Sequence, residues 1–85
     1  MPLEETINDP LDWVVVRFEA GRIEPVAFRW KTREFDVARV LSFRLDRRSR
    51  PNRMSIEVRV TTGEVMELTR REGEAIWTLS RLQTD

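Results

Sequence analysis

The chain has 85 residues, with 15 Lys and Arg balanced by 15 Asp and Glu, and it contains neither His nor Cys. That length allows one domain with a small core. The absence of Cys and His excludes a disulfide framework, a thiolate or imidazole metal site and imidazole catalysis.

Residues 1–12 are polar and contain Pro2, Pro10 and Asn8-Asp9. They read as a flexible N-terminal tail, with a single β domain over residues 13–85. Trp13 to Phe18 is the first strand expected, and its apolar run Trp13-Val14-Val15-Val16 suggests burial on both faces. Ala20-Gly21 turns the chain, with Gly21 suited to a positive φ. Ile23 to Trp30 forms the next strand, with Val26, Phe28 and Trp30 on one face. Pro25 has no N–H to donate, so it belongs at an edge or a bulge.

After a turn at Lys31-Thr32-Arg33, Phe35, Val37, Leu41, Phe43 and Leu45 share a face if a bulge near Ala38-Arg39 corrects the alternation. Val37, Val40, Leu41 and Leu45 also fit helical spacing, so a helix competes over residues 37–45. Asp46 to Arg53 is a loop by its Ser, Pro, Asn and Arg content. Met54 to Val60 alternates cleanly. A three-residue turn Thr61-Thr62-Gly63 then sets Val58 opposite Met66 and Ile56 opposite Leu68, because that register keeps one face apolar. Over residues 75–82, Ala75, Trp77 and Leu79 alternate as a strand, whereas a Thr69-x-x-Glu72 capping box admits a helix. Together these segments predict an all-β domain, a small antiparallel meander of five or six strands forming a barrel or half-open roll.

Charge is distributed unevenly. Residues 1–28 carry a net −4, residues 29–59 a net +6 and residues 60–85 a net −2. Arg44, Arg47, Arg48, Arg50 and Arg53 cluster at and around the loop, and Arg29, Lys31 and Arg33 extend the basic patch if the first hairpin lies alongside. Guanidinium forks suit phosphate, and each phosphate neutralised steepens the salt dependence of binding. Trp13, beside the polar start of the chain, is the aromatic expected to be exposed. Glu34 and Asp36 fall on one strand face, where a solvated surface accounts for them better than a catalytic carboxylate pair.

Pro25-x-x-Phe28-x-Trp30, followed by Phe35, Val37 and Val40-Leu41 and later by Gly63 and Trp77-x-Leu79-x-Arg81, resembles an uncharacterised family of small bacterial β domains. In that family similar segments stand alone or look appended to proteins related to translesion DNA polymerases. Here Thr32 stands where the pattern commonly has Gly, and Phe43 is nearest to where it often has a second Trp. The resemblance implies no catalytic residue and a loose association with DNA-handling proteins.

The function expected is that of a non-enzymatic, cytoplasmic binding module without cofactor or metal. Its partner is nucleic acid or an acidic protein surface contacted through the Arg loop. The alternative is a protein-interaction or homodimerising β domain that uses an aromatic patch or an open sheet edge. No apolar run approaches the roughly 18 residues of a membrane span, so no membrane partner is expected.

Overall fold

The computed structural model describes Leu3 to Thr84. It is all-β: β1 (Leu3–Pro10), β2 (Trp13–Glu19), β3 (Arg22–Trp30), β4 (Arg33–Asp46), β5 (Arg53–Val60), β6 (Val65–Arg71) and β7 (Thr78–Thr84). All pairings are antiparallel, in the order β1-β7-β6-β5-β4-β3-β2. Seven strands form the sheet, not five or six, and it is not closed into a barrel. Residues 37–45 and the greater part of 75–82 are strand, which removes the helical alternatives.

The additional strand is β1, which overturns the reading of residues 1–12 as a flexible tail. Leu3 to Pro10 pairs along β7, from Leu3 opposite Thr84 to Pro10 opposite Thr78. Leu11, in the same segment, is a core residue, while Met1, Pro2 and Asp85 lie outside the described residues. β1 is hard to see in the sequence for a physical reason. It is an edge strand, partnered on one side, and a register break between Thr6 and Asp9 with Asn8 at φ 58° interrupts its alternation.

β1 and β2 stand at opposite ends of the strand order, yet only Leu11 and Asp12 separate them in the chain. The sheet must therefore coil back on itself. Its Cα extents, 33 × 25 × 23 Å, agree, since two packed sheet layers are about 10 Å apart and a flat sheet would be thinner still. Leu11 N–H donates to the Trp77 carbonyl (2.8 Å) and Asp12 N–H to that of Arg29 (2.9 Å), pinning the crossing between the edges.

β4 makes the coil possible. Arg33 to Asp36 pairs with β3, and Val37 to Asp46 pairs with β5. Register breaks between Val37 and Arg39 and between Val40 and Ser42 bend it. The first lies at the Ala38-Arg39 position expected from the sequence. The second extrudes Leu41, so Val40 takes the place facing Val58. Pro25 is buried within β3, beside a break that leaves Val26 unpaired with β2, and β3–β4 pairing stops at Ala27 before reaching it.

The core is Leu11, Phe28, Phe35, Ile56, Val58, Val60, Met66, Leu68, Trp77 and Leu79. Phe28 and Phe35 stack across β3 and β4 with centroids 5.4 Å apart. Trp30 is half-buried, and its indole N–H donates to Asp9 Oδ2 at 3.1 Å. Other expectations of burial fail. Leu41, Phe43 and Leu45 are exposed, because among the described residues nothing pairs with the outer side of β4 beyond Asp36. Val15 is exposed, because β2 is an edge strand with one covered face, and Trp13 on the same face is exposed as its place beside the polar start of the chain leads one to expect.

The β3–β4 turn has two residues, Lys31 at φ 48° and Thr32 at φ 66°. Both lie in the left-handed region, and the β-branched Thr32 is a poor occupant of it. Left-handed strain of about 1–2 kcal/mol is relieved by glycine. Part of that gain is offset by greater freedom of the unfolded chain. Thr32→Gly is expected to raise stability by a net ~0.5–1 kcal/mol, read as a higher urea midpoint at unchanged slope.

Candidate nucleic-acid interface

The β5–β6 register carries the site. It keeps Val58 opposite Met66 and Ile56 opposite Leu68, and the same ladder sets Arg53 opposite Arg71 and Met54 opposite Arg70. The Arg loop is thereby brought to the end of β6. Asn52 holds the two segments together: its carbonyl accepts from Glu72 N–H (2.8 Å), and its Nδ2 donates to Glu72 Oε2 (3.1 Å). Arg70 and Arg71 thus join Arg47, Arg48, Arg50 and Arg53 at one end of the sheet.

Within the loop, Asp46 Oδ1 accepts from Arg48 N–H at 2.9 Å, an Asx-type contact that turns the chain, while Asp46 Oδ2 lies 3.9 Å from Arg53. Among the described residues, Arg47, Arg48, Arg50 and Arg71 have no carboxylate within salt-bridge distance. Arg70 Nε donates to the Glu74 carbonyl at 2.7 Å. Arg53 lines two open clefts, one shared with Arg44, Asp46 and Arg48 of the loop side and the other with Arg70, Arg71 and Glu74 of the β6 side.

Arg44 belongs partly elsewhere. Its Nη2 reaches Glu67 Oε2 at 3.2 Å, which Arg81 Nη2 also contacts, while Ser80 Oγ donates to Glu67 Oε1 at 2.8 Å. Burial pushes the Glu67 carboxyl up. The hydrogen bonds from Arg81 and Ser80 and the charges of Arg81 and Arg44 outweigh that effect and hold it below the ordinary carboxylate value. Glu67 thus orders the polar face beside the patch.

Arg29, Lys31 and Arg33 do not extend the patch. They sit at the end of β3, in the β3–β4 turn and at the start of β4, whereas the Arg loop follows the end of β4. Each has local work: Arg29 Nε lies 3.5 Å from Asp12, Lys31 Nζ lies 3.5 Å from Asp9, and the Arg33 guanidinium lies 4.8 Å from the Phe35 ring centroid. Trp13 is exposed, in a cleft with Leu11, Val14, Ile76 and Trp77, away from the loop's own lining. Phe18 on β2 and Phe43 on β4 are more exposed aromatics that alternation did not distinguish from core residues.

Glu34 and Asp36 are both exposed on β4. Among the described residues no group of three or more acidic side chains is placed to hold a metal ion, and no helix is long and apolar enough to cross a membrane. No protein-family model, curated protein or solved structure matches the chain.

Proposed function

We propose that the protein is a small binding module that contacts nucleic-acid phosphates through the end built by the β4–β5 loop and the end of β6. One observation carries this reading: the β5–β6 ladder and the Asn52–Glu72 contacts bring Arg47, Arg48, Arg50, Arg53, Arg70 and Arg71 to one end of the sheet against Asp46, Glu72 and Glu74, with Arg44 beside them held by Glu67. The chain as a whole is neutral, so this is local charge separation and not a general basic excess. The cations are all Arg, whose forks match phosphate oxygens in pairs. The resemblance to β domains appended to polymerase-related proteins supports the same reading, and a cytoplasmic setting is part of it.

Fluorescence anisotropy with single- and double-stranded oligonucleotides at two salt concentrations tests the proposal. The double variant Arg47→Ala with Arg48→Ala is expected to weaken binding across sequences and to reduce the salt slope by about one to two units, because phosphate contacts position without reading bases. Its folding stability should stay within about ±0.5 kcal/mol of the parent, since both side chains are exposed. Absence of wild-type binding at low salt would end this reading in favour of protein interaction or homodimerisation through an open edge.

A further inference from the structure

Resting on that reading, we infer that the ligand is single-stranded nucleic acid, with its phosphates on the Arg loop and a base stacked on Phe43. Phe43 pairs with Ile56, Ile56 with Leu68, and Leu68 with Leu79. The last three are fully buried, whereas Phe43, at the open end of that row, is 43% exposed. Leu45, two positions on, is also exposed on the same face. Among the described residues β4 has no partner on its outer side here, so a flat ligand has access to the ring.

Charge identifies the occupant. β4 runs directly into Arg47 and Arg48, four and five residues beyond Phe43. At a strand rise of about 3.3 Å per residue, that span is under roughly 17 Å even if fully extended. Arg44, adjacent to Phe43, points to the other face and is held by Glu67, so the strand presents a ring on one side with the cations Arg47 and Arg48 directly ahead of it. Of the exposed aromatics Trp13, Phe18 and Phe43, only Phe43 lies on the strand that enters the Arg cluster. An apolar protein partner would use the ring and leave the neighbouring cations unmatched. A duplex would use the cations and leave the ring empty, since its bases are already stacked and must be unstacked to reach it. A single strand uses both.

The experiment compares a fluorescein-labelled oligothymidylate with a duplex of the same length, using the full chain at low and moderate salt. Wild type is expected to favour the single strand. Phe43→Ala should weaken that binding roughly tenfold and leave the salt slope and duplex binding unchanged. Phe43→Leu keeps an apolar side chain without a ring face and should weaken it similarly, whereas Phe43→Trp should bind at least as tightly as wild type. This pair decides the matter if Phe43→Ala fails to fold. Equal binding of single strand and duplex, or full affinity in Phe43→Leu, would overturn the inference while leaving the phosphate reading intact. So would a fall in the free protein's sedimentation coefficient from dimer to monomer on Phe43→Ala, because the ring would then belong to a contact between copies. No binding to either nucleic acid would remove both.

Discussion

Phe28→Ala is expected to cost about 3–5 kcal/mol. Phe28 is fully buried and stacked on Phe35 across β3 and β4, the pair that seats this hairpin on the rest of the core. Truncation removes the transfer free energy of the ring and leaves a cavity that the paired backbones cannot collapse to fill. A chain of this length has a total stability of about 4–13 kcal/mol, so the variant would lie close to unfolding. Urea denaturation followed by tryptophan fluorescence would show a lower midpoint at unchanged slope. Phe43→Ala, the same substitution at the open end of the Ile56-Leu68-Leu79 row, is expected to cost well under that, on the order of 1 kcal/mol, by this measure. If the two variants lost similar amounts, the β3–β4 hairpin would not be the lid of the core.

The second large effect concerns Glu67. Its side chain is nearly buried and receives hydrogen bonds from Arg81, Arg44 and Ser80, so Glu67→Gln should cost about 1–3 kcal/mol at neutral pH. The loss stays below the 3–5 kcal/mol of a fully buried pair because the Arg81 and Arg44 side chains are 42% and 68% exposed and can return to water. The carboxyl is held below its ordinary value of 4.5 in the folded state. Its stabilisation is therefore fully present above the unfolded value and is lost as pH falls through the lower folded value. Wild-type stability should decline on acidification below about pH 5. The difference between wild type and Glu67→Gln should shrink over the same interval. A constant difference down to the acid transition would show that Glu67 acts by packing alone.

Much of this architecture was legible in the residues. The register of β5 against β6 follows from keeping Ile56, Val58, Met66 and Leu68 on one face, and the ladder has that register. Once Val58 faces Met66, Arg53 must face Arg71, so the meeting of two basic segments was already implicit in the sequence. Along the chain the charges cluster only in the loop, and Arg70 and Arg71 join them only across the ladder. The Asn52–Glu72 contacts that fasten the two segments carry no sequence signature, because either residue alone reads as ordinary loop chemistry.

By itself, the sequence determined the strands β2, β3, β5 and β6 and the turns that follow β2, β3 and β5. Alternation needs only neighbouring residues, and the φ of a turn needs only its own: Gly21 and Gly63 both have positive φ, at 75° and 103°. Tertiary structure alone decided which apolar side chains are covered. Phe28 and Phe43 occupy equivalent places in two alternating segments, but one is sealed beneath the coiled sheet and the other lies where β4 has bent away from β3. Leu3 to Pro10, poor in apolar residues, is a strand because β7 offers it an open row of backbone hydrogen-bonding groups. Burial and edge pairing are relations with groups distant in the chain, and no local pattern encodes which groups those will be.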